Sequence, residues 1–561
     1  VSAMQWEAVR ASAQWAAYGD ALGFITELTD TAGVRRRIGH DEVTTTVPWK
    51  RRIGGRYGRD MPLPAGAYSD DTQLRLATSR AIRGDGEFDA EAFAKIEVVA
   101  WQAYALGAGR GTKAAATGLM RVEAKWSQNI FATKAARYVD IGGNGAAMRI
   151  QPHVWSARDL TNWDHITRDV VRNAVSTHGH PRGILGAVLH AVLLAHTLDA
   201  NELPGPKQWR PAIDWLEQVP DVIARDDELA YLWLPTWTEA AGTDFRSAAL
   251  TVADECRTAF EAVDSATPLT PETYTALVER LGGFDDATRG SGTVTTVLAA
   301  VLAYAYASSP EAALLLAANT LGSDTDTIAT MAGALLGAVT AAPPPGAVQD
   351  ADAIDSEARR MWDISRGRET ATFAYPDLLR WSPPKATLDL VGHTPNGPAL
   401  AGLGTLTPVG TPTPGNQATY VWGTLPFGQS VLVRARPDLR PLDEHLLPGD
   451  VRQPRTRQSA DAAPTDQQLL FDTPTSSAVT TDQGRLERGA ARGTLSERAH
   501  RPGPPTLEEI VQGLARNGFP PEQVGRALLH QMGSGRYGVE RAAALAGLLA
   551  RAYQSEQERP G

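Results

Sequence analysis

Two short segments of the 561-residue sequence combine acids with hydroxyls: Ser69-Asp70-Asp71-Thr72 and Asp324-Thr325-Asp326-Thr327. Each opens a stretch of helical texture, Gln73 to Ile82 and Ile328 to Val339. An acid at a helix start has an ordinary explanation, since it caps free N–H groups and favours the positive end of the helix dipole. Two segments with the same chemistry weigh differently. Asp70, Asp71, Asp324 and Asp326 make four carboxylates, which brought together would repel strongly without a cation between them. Hard divalent cations such as Mg²⁺ take oxygen ligands of this kind, the hydroxyls of Ser69 and Thr327 included. A two-metal site would use all four acids. Sequence spacing alone does not show that the segments meet.

Further segments carry weaker signals. Gly19-Asp20-Ala21-Leu22-Gly23 is followed by Glu27, and its glycines suggest a tight turn after a helix, with Asp20 as a structural cap holder. Gly142-Gly143-Asn144-Gly145-Ala146-Ala147-Met148-Arg149 leaves backbone N–H groups free for an anion or a nucleotide, or is an ordinary loop. His190 and His196 lie on an apolar stretch and read as packed or surface residues rather than ligands. Arg35-Arg36-Arg37 and Lys50-Arg51-Arg52 are charge runs, which are usually solvated faces.

The elements that must position these residues are mostly helices. Up to about Ala342, apolar residues recur at helical spacing: Trp6, Val9, Ala13 and Ala16, or Val294, Val297, Leu298, Val301 and Leu302. Helices packed on helices are expected. After Pro343-Pro344-Pro345-Gly346 comes one helix around Asp355 to Arg366, then short apolar runs between turns from Tyr375 to Arg436, which predict a small β-rich appendage. The division expected is 1–345 for a catalytic helical domain, 346–437 for the linking helix and appendage, 438–503 for a disordered linker poor in aromatics, and 504–556 for a small helical module. Thr506 and Glu509 form a capping-box pair at the start of that module, which is expected to meet a protein partner. Hydrophobic residues at 43% allow a sizeable core, and a net charge of −10 disfavours bulk nucleic-acid binding. Cys256 is the single cysteine, which excludes a disulfide and a zinc site of several cysteines and points to a cytoplasmic protein. No secretory signal or membrane span is expected.

Five stretches in order resemble the ADP-ribosylglycohydrolase family, whose members include dinitrogenase-reductase-activating glycohydrolase-like and ADP-ribosylhydrolase-like proteins. They are Gly19–Gly23 with Glu27, Tyr68–Gln73, Gly143–Arg149, Thr177-His178-Gly179-His180-Pro181, and Gly322–Thr327. The resemblance covers roughly residues 5 to 345 and implies an all-α, orthogonal multi-helix bundle with a metal centre, usually two Mg²⁺ or Mn²⁺ ions. It makes Ser69, Asp70, Asp71, Asp324, Asp326 and Thr327 metal ligands, Ser69 standing where threonine is more usual. Glu27 matches an acid near the metals on a mobile loop. Gly143, Asn144, Gly145, Met148 and His178 match the wall that holds ADP-ribose. Gly107-Ala108-Gly109-Arg110-Gly111-Thr112-Lys113 fails the P-loop pattern; it is either a helix–helix turn or a loop whose Gly109 and Gly111 face the substrate. The implied reaction is hydrolysis of the bond between ADP-ribose and an acceptor, with Glu27, Asp70 and Asp324 as catalytic residues. The rival readings are a non-catalytic ADP-ribose-binding or structural protein on the same fold, and a hydrolase of another nucleotide derivative. The intact acidic set argues against the first.

Overall fold

The computed structural model describes residues 4–55, 58–134, 136–263, 268–340, 342–449, 506–533 and 538–557. Helix α1 (Trp6–Thr26) and α2 (Thr31–Ile38) lead into an antiparallel hairpin, β1 (Trp49–Ile53) and β2 (Arg59–Leu63). Then come α3 (Asp70–Ala81), α4 (Ala90–Ala92), a π-helical turn at Phe93–Glu97, α5 (Val98–Trp101) and α6 (Arg110–Leu119). Next follow α7 (Gln151–Trp155), α8 (Trp163–Val175), α9 (Pro181–Ala200), α10 (Pro206–Leu216), α11 (Val219–Ala224), α12 (Leu234–Ala241), α13 (Phe245–Glu261) and α14 (Pro271–Arg280). The bundle closes with α15 (Gly292–Ala305), α16 (Pro310–Asn319), α17 (Thr325–Val339) and α18 (Ala351–Ser365). The fold is mostly helical, as expected, with small sheets towards the C-terminal side. The β1–β2 hairpin is an addition that the helical texture of the first 345 residues hid.

The centre of the bundle is the pair α1 and α17, and small residues explain it. A Cβ at Gly19 or Gly23 would come within 2.4 Å of the α17 backbone, and one at Gly333 or Gly337 equally close to that of α1. The two backbones therefore touch, which only glycine permits. This corrects the expected tight turn: Gly19–Gly23 lies inside α1, and its glycines serve close approach rather than chain reversal. Helix α9 is long and apolar enough to cross a membrane by length and composition alone, yet 83% of its apolar window is buried within the bundle. It packs against α8, α13, α15 and α17 as a core helix.

Beyond the bundle, β3 (Val391–Thr394), β4 (Gly397–Leu400) and β5 (Gly404–Thr405) form one antiparallel sheet. A second holds β6 (Thr407–Pro414), β7 (Thr419–Thr424) and β8 (Ser430–Ala435). Leu400, Leu403, Val431 and Val433 belong to the same buried core as the helices. Of the expected linker, residues 438–449 are packed: Leu442 and Leu446 are buried, and the Gly402 N–H donates to the Leu446 carbonyl at 2.7 Å. The linker boundary at 438 thus fails by about a dozen residues, because these two leucines have an apolar surface to cover. Residues 450–503 lie outside the described residues. The C-terminal helices are α19 (Leu507–Arg516), with the expected Thr506/Glu509 capping box, α20 (Pro521–Gly533) and α21 (Gly538–Gln557). They share a small core with Leu232 of the bundle, and Arg551 donates to the Tyr231 carbonyl at 2.6 Å.

Candidate active site

The starts of α3 and α17 meet under a cleft of about 660 Å³. Asp20, projecting from buried α1, organises the α3 start. Its carboxylate accepts from the Ser69 N–H at 2.8 Å, the Thr72 N–H at 2.9 Å and the Thr72 hydroxyl at 2.6 Å. The Thr72 hydroxyl in turn accepts from the buried Arg75 at 2.6 Å. Asp70 accepts from the Ala108 N–H at 2.6 Å through Oδ1. Ser69 donates its hydroxyl to Asp71 Oδ2 at 2.8 Å and accepts the Asp71 N–H at 3.2 Å. On the other side, Asn144 donates to Asp324 at 3.0 Å, Asp326 accepts its neighbour's N–H from Thr327 at 2.9 Å, and the Thr327 hydroxyl lies 3.5 Å from Asp71 Oδ2.

One carboxylate oxygen from each of Asp20, Asp71 and Asp326 lies within 4.8 Å of the other two. Asp71 Oδ1 is buried and has no hydrogen-bond partner. A buried, unpaired carboxylate oxygen among other carboxylates is costly unless a cation completes it. The donor set is anionic oxygen throughout, so these residues fit a hard divalent cation. Burial pushes the Asp70 carboxyl up to about 7, with the charges of Glu27 and Asp20 adding to the rise. It also drives Asp71 and Asp326 well above the usual carboxylate range, again helped by neighbouring acids, and raises Asp20 and Asp324.

Facing the acids is a glycine-rich wall. The Asn144 N–H donates to the Gly290 carbonyl at 2.8 Å and the Gly292 N–H to the Gly142 carbonyl at 3.0 Å, so the loop is stitched to the start of α15. Arg149 holds it from behind, donating to the Gly145 carbonyl at 2.9 Å, to Asn173 at 2.8 Å and to the Thr177 hydroxyl at 2.8 Å. Thr177 Oγ1 sits 2.7 Å from His178 Nδ1. The same hydroxyl accepts from Arg149, so His178 is tied through Thr177 to the guanidinium that holds the loop. Burial drives His178 down to about 3, so the ring is neutral. A Cβ at Gly145 would come 2.8 Å from Thr112 Oγ1 and 3.0 Å from His178 Cε1, so a larger residue there would have to push these side chains aside.

The segment at 107–113 bears out the expected turn. It is a turn into α6, with Gly107 and Ala108 at positive φ (88° and 72°), and Gly109 and Gly111 line the cleft. Glu27 also lines the cleft, at the end of α1. Its carboxylate accepts from Arg51 at 2.6 Å, and Arg51 lies 4.3 Å over the Phe24 ring. Arg37 donates to the carbonyls of Ile25 and Glu27. Two members of the basic runs therefore hold the end of α1, while Arg35 and Arg52 pair with Asp41 and Asp60.

All the expected site residues except Ser69 line this one cleft. The residues the sequence reading missed are Asp20, read only as a cap holder, and the supports Arg51 and Arg149. Asp20 and Arg149 lie inside the quoted motifs, so a signal existed for them. Arg51 had none, because its partner is 24 residues away. Arg110, Arg137, Arg182 and Arg289, all unassigned from the sequence, also line the cleft.

A model of the family described as ADP-ribosylglycohydrolase matches residues 8–368. The chain belongs to the ADP-ribosylglycohydrolase family. Membership makes it a glycohydrolase, with hydrolysis of ADP-ribose linkages as its reaction class and ADP-ribosylated molecules as its substrates. Among solved structures, one titled "ADP-ribosylglycohydrolase-related protein complex" is 20% identical, with a TM-score of 0.38, covering 64% of this chain and 98% of that one. No curated protein matches the chain. The family match spans every motif of the cleft and stops before β3, so the β-rich region and the C-terminal helices lie outside this ADP-ribosylglycohydrolase match.

Proposed function

We propose that this ADP-ribosylglycohydrolase is a metal-dependent enzyme that cleaves the glycosidic bond joining ADP-ribose to an acceptor. The observation that carries the reading is the convergence of two acidic helix starts beneath a glycine-rich wall, with Asp71 Oδ1 buried and unpaired. Asp70, Asp71, Asp324, Asp326 and the Thr327 hydroxyl would hold two Mg²⁺ ions, or Mn²⁺ in their place. Ser69 and Asp20 orient Asp71 and the turn that bears it. Ions bound there supply positive charge that orients ribose hydroxyls and makes a water molecule easier to ionise.

The chain's own residues do the rest. Backbone groups of Gly143, Gly145, Gly109 and Gly111, with Met148 and the neutral ring of His178, pack against the nucleotide. Cleavage forms a bond from water oxygen to the anomeric carbon and breaks the bond to the acceptor, through a transition state of oxocarbenium character. Glu27 takes the proton from water, and the acceptor leaves with a proton gained from solvent or the cleft. Arg51 holds Oε2 of Glu27, which leaves Oε1 to take the proton from water.

The test is to incubate the protein with Mg²⁺ and ADP-ribosylated arginine, serine or DNA, and to follow release of ADP-ribose. Turnover that vanishes in Asp324→Ala and on chelation supports the reading. ADP-ribose binding without turnover on any of the substrates would instead favour a non-catalytic binder on this fold.

A further inference from the structure

We propose that the β-rich region beyond the family match acts, through Gln429 and through Asp350 before α18, as a clamp that positions the acidic start of α3, with these two as positioning residues. The turn between β7 and β8 contacts Arg80 at one end of that helix, and Ser430 at the start of β8 is linked through Asp350 to Tyr68, just before the other end. At the far end, Gln429 is 1% exposed and its Oε1 accepts from Arg80 at 2.8 Å. The Phe427 ring lies 4.5 Å under the same guanidinium. Arg80 is paired through two bonds of 2.8 Å to Glu97, both side chains being buried, and the Tyr375 hydroxyl donates to Glu97 at 2.6 Å.

At the near end, the Ser430 N–H donates to Asp350 Oδ2 at 2.8 Å, and the Tyr68 hydroxyl donates to the same oxygen at 2.7 Å. Tyr68 is buried and immediately precedes Ser69-Asp70-Asp71. Asp350 is the residue before α18 and sits at φ 58°. Its neighbour Gln349 donates an N–H to the Gly66 carbonyl at 3.0 Å, so the strand entering the acidic segment is held at two points.

The physical consequence is a fixed axial position for α3. Sliding of the helix would have to break a buried ion pair at one end or free a buried tyrosine hydroxyl at the other, and both are costly. Asp70 and Asp71 move with the helix, so the clamp sets where their oxygens stand relative to Asp326. Groups that orient ligand side chains without touching the ion commonly change metal affinity by tenfold or more.

The inference about metal affinity rests on the metal reading above, so the experiment includes a readout that does not. In the full-length chain, Asp350→Gly removes the shared acceptor while tolerating the positive φ, Asp350→Asn restores an acceptor, and Gln429→Leu acts at the other end. Arg436→Ala, which breaks a pair with Asp389 inside the β-rich region, is the control. We expect faster amide hydrogen exchange across residues 70–81 and about tenfold weaker Mn²⁺ binding in Asp350→Gly and Gln429→Leu. Asp350→Asn should recover both, and Arg436→Ala should change neither. If Asp350→Gly does not fold, Tyr68→Phe, which deletes one hydroxyl, takes its place with the same expectation. Unchanged exchange across residues 70–81 in the clamp variants, or equal loosening in Arg436→Ala, overturns the clamp. Parent protein that takes up no Mn²⁺ would overturn the metal reading, and the exchange comparison would still decide the clamp.

Discussion

The starts of α3 and α17 carry nearly the same residues and are held in place by different forces. The α3 start hangs on hydrogen bonds: three to Asp20, one from Ala108 to Asp70, two between Ser69 and Asp71. The α17 start rests chiefly on backbone contact, because Gly23 lets α1 lie against the backbone of Thr325 and Asp326, with the Thr325 hydroxyl donating to the Gly23 carbonyl at 3.0 Å. The difference teaches that one half of the site is sensitive to charge and the other to volume. It also says which changes should damage which half.

The largest effect should come from removing an acid of either half. Asp71→Ala and Asp326→Ala are each expected to lower turnover by roughly 10³-fold, since several kcal/mol of charge stabilisation at about 1.4 kcal/mol per tenfold gives that scale. Steady-state release of ADP-ribose at saturating Mg²⁺ measures it. If one of the two variants kept nearly full turnover, the halves would not be working as one site.

Next come the supports, where the comparison is most exposed. Gly23→Ala places a methyl 2.4 Å from the Asp326 backbone, and should cost about 3 kcal/mol or more by overpacking. Asp20→Asn keeps the volume but leaves fewer acceptors for three donors, and should cost about 1–3 kcal/mol. Urea unfolding gives both values. Equal costs, or a larger one for Asp20→Asn, would mean that volume and hydrogen bonding do not divide the halves as described.

How much of this was legible in the sequence follows from the same division. The acidic segments, the glycine loop and His178 could be placed in one site because they sit in short contiguous motifs whose residue types have few uses together. The helical bundle was legible from apolar spacing. Gly19 and Gly23 were seen but misread, because a glycine needed for close approach looks identical in sequence to one needed for a turn. Long-range partners were invisible: Glu27 to Arg51, Tyr68 to Asp350 and Arg80 to Gln429 span 24, 282 and 349 residues. The packing of residues 438–449 was missed for a related reason, since two leucines in a polar stretch mean little until an apolar surface stands opposite them.

A smaller effect separates the halves by pH. The Asp70 carboxyl is raised from 3.8 to about 7 in the folded protein, chiefly by burial, so between those values the folded state holds a proton that the unfolded chain has lost. That contribution to stability is complete below about pH 3.8 and disappears as pH rises through 7. Metal-free protein should therefore melt at falling temperature from pH 5 to 8. Asp70→Asn should flatten the fall, and Mg²⁺ should offset it by binding the ionised form. A melting temperature that rises across this range would contradict the burial of the acids without a cation.

The smallest change tests the hydrogen bond that Asp324 accepts from the glycine-rich wall. Asn144 donates to Asp324 and to Thr295, both at 3.0 Å. Asn144→Ala removes these donors, so about 1 kcal/mol of stability should be lost. Because Asp324 is also backed by its place at the head of α17, its position should survive, and the acid should still take part in cation binding. The expected signature is a weaker hold on ADP-ribose, seen as a raised KM, with kcat within a few-fold of the parent. A collapse of kcat would mean that Asn144 is the true support of Asp324, and that the α17 half depends on hydrogen bonds as the α3 half does.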